Sequence, residues 1–142
     1  LLHDVGHFLV GEHVAKKGFL EADLCHEIVG AEWLPGMFSP LVSEPVRHHV
    51  PAKRYLCAID PEYHAGLSGA SKRSLEVQGG PMNEQELRAF EQMAGTDAAI
   101  ALRRRDDRAK VAGKSVPPLT TYRDYVVKVL ERRGDPLKNI VG

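Results

Sequence analysis

Apolar residues recur along this chain at intervals of three and four, and no run alternates strictly with polar residues over the length of a strand. A side chain returns to the same helix face every 3.6 residues, whereas a strand would need a period of two, so the pattern predicts helices almost throughout. Leu1, Leu2, Val5, Phe8, Leu9 and Val14 carry the opening rhythm, which predicts a helix already under way at the first residue and ending at Lys16-Lys17-Gly18. Cations and a glycine suit a helix C-terminus, where carbonyls lack partners and a left-handed residue is often required. A second helix is expected from His26 to Leu34, closed by Pro35-Gly36, and a third from Ser39 to His49, with Pro40 at its first position. Ala52 to Ala58 predicts a short helix ending before Asp60-Pro61. The Ser- and Gly-rich stretch from Leu67 to Pro81 is expected to be a loop. Asn83 with Glu86 three residues on makes a capping-box pattern for a helix reaching about Met93. Asp97 precedes a long helix running through Leu102 into the charged segment Arg103 to Lys110, and Thr121 to Arg133 predicts a last amphipathic helix. The expected fold is an all-α domain without internal repeats or low-complexity segments.

Composition narrows the function classes. The 142 residues suffice for one domain with a sizeable core. Nineteen Lys and Arg balance nineteen Asp and Glu, which argues against nucleic-acid or membrane-surface binding driven by bulk charge. No apolar run approaches the roughly 18 residues of a membrane span. Two cysteines, Cys25 and Cys57, lie far apart and form no CxxC pair, so neither a disulfide framework nor a zinc ribbon is expected. The chain opens at Leu1 without a signal-peptide pattern and reads as one whose beginning is missing. What stands out is histidine, seven in number and several beside carboxylates.

Four groups carry candidate chemistry. His3-Asp4 pairs an imidazole with a short carboxylate, a combination able to serve two metals about 3.5–4 Å apart, one held by the imidazole and both bridged by the carboxylate. His7 lies one helical turn beyond His3, as a further ligand, a base or a substrate contact. His26 is mounted at a helix start, and His48-His49 ends an amphipathic segment with Lys53 four residues after His49. Finally, Arg103, Asp106 and Lys110 form one helical stripe, a carboxylate between two cations. Each group taken singly is an ordinary surface feature. Together they offer imidazole nitrogens and carboxylate oxygens with no thiolate, a donor set suited to iron, manganese or zinc.

The order HD, then His, then His, then a late Asp resembles the HD-domain superfamily of metal-dependent phosphohydrolases, all-helical bundles around one or two metals. The stretches HDVGH, HEIVGAEWL, VSEPVRHHVPAKRYL, YHAGLSGASKRSLEVQGGPMNEQE and ALRRRDDRAKV are similar to one branch, the mixed-valent diiron phosphonate oxygenases. AKRYL and SLEVQGGPM together carry most of that likeness, which covers nearly the whole chain. The resemblance implies a single HD-type domain over 1–142, with an N-terminal helix or helices lying before Leu1. It implies His3 as a terminal ligand, Asp4 as the bridging carboxylate, His26 and His49 on the second metal, and Asp106 on the first. It further implies His7 as a catalytic residue touching substrate, with Lys53, Ser71 and Arg103 at the remaining phosphonate-binding positions. His48, Asp107 and Ser68 are the rivals of His49, Asp106 and Ser71. The branch's first histidine ligand and a Tyr/Glu loop precede its HD motif, so five of six expected ligands fall within 1–142, and Arg105 stands where an aromatic is expected.

By the same resemblance, the expected cofactor is a pair of iron ions, Fe(II)/Fe(III). The expected reaction is O2-dependent cleavage of the C–P bond of a 1-hydroxy-phosphonate bearing an amino or ammonium group, giving phosphate and a carboxylate. Expected partners are that small molecule and O2, with neither nucleic acid nor membrane, in the cytoplasm. Two rivals use the same ligands: a phosphohydrolase, with another divalent metal activating water against a phosphate ester, and a non-catalytic ligand-binding module.

Overall fold

A computed structural model describes residues 1–10 and 25–131, and all of the regular structure among them is helical. The helices are α1 (Gly6–Leu9), α2 (His26–Trp33), α3 (Pro40–Arg47), α4 (His49–Ile59), α5 (Pro61–Gly66), α6 (Gly69–Val77), α7 (Glu84–Glu91), α8 (Thr96–Ala109) and α9 (Arg123–Glu131). Short 3-10 turns at Leu34–Gly36 and Leu119–Tyr122 follow α2 and precede α9. No helix among the described residues is long and apolar enough to cross a membrane.

Local chemistry accounts for several boundaries. The expected capping box is present: the Asn83 side chain accepts from Glu86 N at 3.0 Å, and Glu86 Oε2 accepts from Asn83 N at 2.9 Å. Asp60 caps α5 by accepting from Tyr63 N at 2.9 Å. The long eighth helix starts at Thr96, one residue before Asp97, after Gly95 in the left-handed region at φ 85°.

Three expectations are corrected. Residues before α1 form tight turns, with Val5 N donating to Leu2 O and His7 N to Asp4 O, so the helix begins at Gly6 rather than at Leu1. The expected end of that helix at Lys16-Lys17-Gly18 lies outside the described residues. The fourth helix starts at His49, not Ala52, because Pro51 sits in its first turn, where a missing N–H costs no helical hydrogen bond. The Ser- and Gly-rich loop expected over Leu67 to Pro81 contains the nine-residue helix α6. Ser68 caps it by accepting from Ser71 N at 3.2 Å, and Leu75 anchors it in the core. Gly79 and Gly80, both at positive φ, then turn the chain, with Gly80 N donating to Leu75 O at 2.8 Å.

Three apolar clusters surround the middle of the bundle. Ala31, Leu34, Phe38 and Val46 join α2 to α3, with Val126, Val129 and Leu130 of α9 packed against them. Ala52, Phe90 and Ala99 join α4 to α7 and α8, while Cys57, Leu67 and Leu75 join α4 to α6. α4 therefore serves two clusters, and its turns carry buried His49 and Lys53 between them.

Candidate metal centre

The first residues of the chain reach the bundle through one close approach. A Cβ built on Gly6 would lie 1.8 Å from His26 O and 2.9 Å from Gly30 N, so only glycine lets the turn carrying His3 and Asp4 meet α2 backbone to backbone. Because that turn is tighter than an α-helix, His3 and His7 do not share a face. His3 approaches α8, whereas His7 stacks on His26 at 3.9 Å between ring centroids.

Asp4 stands between two sets of donors. Its Oδ2 lies 3.1 Å from His3 Nε2, and that nitrogen lies 3.3 Å from Asp106 Oδ1. Its Oδ1 lies 3.6 Å from His26 Nε2, 3.8 Å from His49 Nε2 and 4.0 Å from His7 Nε2. The two imidazoles of the second set approach each other at 3.2 Å between Nε2 atoms. Each oxygen of one carboxylate thus faces its own cluster of ligand-type atoms.

The protonation chemistry suits a cation in each cluster. His49 Nδ1 lies 2.7 Å from Val46 O, the place of an N–H donor, which turns the lone pair of Nε2 toward Asp4. Burial pushes the His49 imidazole down to about 4, so it is neutral, as a ligand must be. The Asp106 and Asp4 carboxylates raise His3 to about 9, and neither buried ring nitrogen of His3 makes an aligned hydrogen bond among the described residues. Burial opposes ionisation of Asp4, but His3 outweighs it and brings the carboxyl to about 2. Burial likewise opposes ionisation of Asp106, yet His3 and Lys110 hold it well below the usual carboxylate range. Two anions converging on an imidazole whose nitrogens lack aligned partners are the surroundings a bound cation would satisfy, and the N/O donors fit iron, manganese or zinc.

Beyond the carboxylates lies a cationic wall. Lys53, only 2 % exposed, donates from Nζ to Ser74 Oγ at 2.9 Å, and Ser74 in turn donates to Ser71 O at 3.0 Å. Burial, with Arg103 and Lys110 adding repulsion, lowers the Lys53 ammonium to about 8. Arg103 is also buried; its Nη1 lies 3.4 Å from Asp106 Oδ2. A buried lysine held by a hydroxyl and a buried arginine beside two carboxylates are groups of the kind that pair with oxyanions.

The tertiary structure gives different surroundings to His48 and His49 and to Asp106 and Asp107, and links Ser68 and Ser71 to each other. His49 faces Asp4, whereas His48 lies 3.3 Å from Glu44 and edge-on to Phe90. Asp106 faces His3, whereas Asp107 pairs with Arg103. Ser68 is the cap of α6, and its hydroxyl donates to Ser71 Oγ at 3.1 Å. Arg105, at the position expected to be aromatic, lies on the exposed face of α8. Ser74 and Tyr63 were not singled out from the sequence. Ser74 is one turn beyond Ser71, a relation hidden while this segment reads as a loop. Tyr63 reaches Arg103 and Asp107 across 40 and 44 residues, and no local pattern announces that.

The conspicuous family segments also acquire structural roles. Within AKRYL, Lys53 turns to the site while Arg54 donates to Gly80 O at 2.8 Å and to Glu86 Oε1 at 2.7 Å, tying down the turn of SLEVQGGPM. Hydroxymethylphosphonate dioxygenase of Gimesia maris is 50% identical to this chain over 131 residues, 92% of the chain and 65% of that protein. The [1-hydroxy-2-(trimethylamino)ethyl]phosphonate dioxygenase (glycine-betaine-forming) of Leisingera caerulea is 39% identical over 132 residues, 93% of the chain and 67% of that protein. The chain belongs to the phosphonate dioxygenase family. An uncharacterized protein of Acanthamoeba polyphaga mimivirus is 34% identical over 131 residues, 91% of the chain and 59% of its own length. No protein-family model matches the chain. The chain spans about two thirds of the length of these phosphonate dioxygenase relatives.

Proposed function

We propose that this chain forms an HD-type domain holding a diiron centre, and that the protein cleaves the C–P bond of a 1-hydroxy-phosphonate with O2, in the cytoplasm. The observation that carries this reading is the placement of Asp4, with one oxygen toward His3 and the other toward His26 and His49. In this reading His3, Asp106 and Asp4 would hold one iron, while His26, His49 and Asp4 would hold the other. When bound, the iron pair supplies electrons for O2 activation and a Lewis-acid seat for the substrate hydroxyl.

The chain's own residues do the rest. Lys53 and Arg103 bind the phosphonate oxygens through charge-assisted hydrogen bonds, with Ser71 contributing a hydroxyl. The dianion restores the charge of the Lys53 ammonium, which burial alone makes easy to lose. His7, beside Asp4 and stacked on His26, takes the proton of the substrate hydroxyl at Nε2. Val46 O keeps the His49 ring in the tautomer whose Nε2 is a ligand. Overall, a 1-hydroxy-phosphonate and O2 give phosphate and a carboxylic acid, so hydroxymethylphosphonate would give phosphate and formic acid.

The two dioxygenase relatives are named for substrates that share a 1-hydroxy-phosphonate and differ in whether an ammonium group is attached. The deciding experiment measures phosphate release by iron-loaded protein from hydroxymethylphosphonate, 2-amino-1-hydroxyethylphosphonate and its trimethylated analogue, with and without O2. Release that requires O2 is expected, and the preferred compound decides whether an amino or ammonium group is read. Release from ordinary phosphate esters without O2 would make the protein a hydrolase. Silence with every compound would leave the non-catalytic reading.

A further inference from the structure

Asp107 and Tyr63 lie outside the ligand set, yet both reach the same guanidinium, and Asp107 Oδ1 also lies 3.7 Å from Lys110 Nζ. Asp107 grips Arg103 along one side of the guanidinium, with Nε donating to Oδ2 at 2.9 Å and Nη2 to Oδ1. Tyr63 closes a triangle: its hydroxyl donates to the same Oδ2 and accepts from Arg103 Nε at 3.2 Å. Tyr63 is itself fixed. Its backbone N–H is the one that Asp60 caps at the start of α5, Asp60 Oδ2 lies 3.5 Å from Arg104 Nη2, and the Arg104 guanidinium sits 5.9 Å from the Tyr63 ring centroid.

An arginine has five N–H donors in a rigid planar fork. Asp107 and Tyr63 occupy the Nε–Nη2 side, and Nη1 lies toward Asp106. The end-on edge between Nη1 and Nη2 is the part left for a further oxyanion. We propose that Asp107 and Tyr63 are positioning residues that fix which edge of Arg103 meets the phosphonate, and that they keep the guanidinium from closing fully onto Asp106. This inference rests on the phosphonate-binding reading above.

Neutralising Asp107 would change two things together, because its charge also repels a bound anion. The test therefore keeps charge and alters geometry, using Tyr63→Phe and Asp107→Glu in the iron-loaded protein. Hydroxymethylphosphonate is titrated without O2 by calorimetry, and KM and kcat are measured with O2. Loss of a positioning hydrogen bond predicts a Kd weakened about fivefold in Tyr63→Phe and about tenfold in Asp107→Glu. KM should rise in parallel, with kcat and iron content near those of the wild type. A merely structural role would instead lower iron content and kcat at unchanged KM. Wild-type Kd in both variants overturns the inference, as does loss of iron in Asp107→Glu. If the unaltered protein binds no phosphonate, the underlying reading fails, and the inference fails with it.

Discussion

Gly6 lies against the His26 carbonyl so closely that any Cβ on it would fall 1.8 Å from that oxygen. The contact is between backbones, so no rotamer change relieves it. It also joins the two stretches that place Asp4 and His26, since Gly6 follows the turn of Asp4 and faces the start of α2.

Gly6→Ala should therefore separate the turn from α2 and pull Asp4 away from His26 and His49. Overpacking of this kind costs about 1–3 kcal/mol. The expected outcome is a lower urea midpoint together with reduced iron content. Unchanged values for both would mean that the helices meet differently.

Asp4→Ala should abolish binding of both metals, because it removes the carboxylate shared by the two donor sets. His3→Ala leaves the His26–His49 set intact and should lose one metal before the other. Iron per chain, measured after equilibrium dialysis, checks both. Two irons retained in Asp4→Ala would refute the bridging role.

His49→Ala should be severe and His48→Ala mild, although the two are neighbours. His49 is 2 % exposed and faces Asp4, while His48 pairs with Glu44 on the other side. Metal content and phosphate release from the two variants give the comparison. The reverse order would exchange their roles.

Lys53 makes a pH prediction with a definite sign. Its folded-state value is lowered from 10.5 to about 8 by burial, so between these values the unfolded chain binds more protons than the native one. Stability then rises with pH across that window, and the cost of the buried ammonium is fully present below about 8. Lys53→Met should be most stabilising relative to wild type below pH 8, with the advantage shrinking toward 10.5. Denaturation midpoints of the two proteins across this range test it. Phosphonate affinity should move oppositely, falling as the ammonium is lost. Ser74→Ala should weaken that affinity about fivefold by freeing Nζ. A phosphonate titration in this variant, with iron content as control, separates the effect from loss of the centre.

Much of this was legible because it is local. The helical period gave the all-α fold, and Asn83 with Glu86 announced a cap that needs only four residues to form. His49 and Lys53 share one helix, which the expected break before Ala52 hides in the sequence. The loop expected at Leu67 to Pro81 failed for an equally local reason. Its serines read as loop formers, but Ser68 spends its hydroxyl on capping α6 and Ser74 bonds back to Ser71 O within that helix.

The sequence by itself determined the helical class and the order in which the candidate imidazole and carboxylate groups come along the chain. Which of two adjacent residues faces the other candidate ligands was decided only by tertiary structure. Asp106 and Asp107 are chemically identical and one residue apart, yet about 100° of helical rotation sends one to His3 and the other to Arg103 and Tyr63. The turn before α1 and the Gly6–Gly30 approach then set where the partners of that rotation lie. Spacing along a chain fixes relative direction within a helix, whereas what stands in that direction depends on how helices far apart in sequence pack.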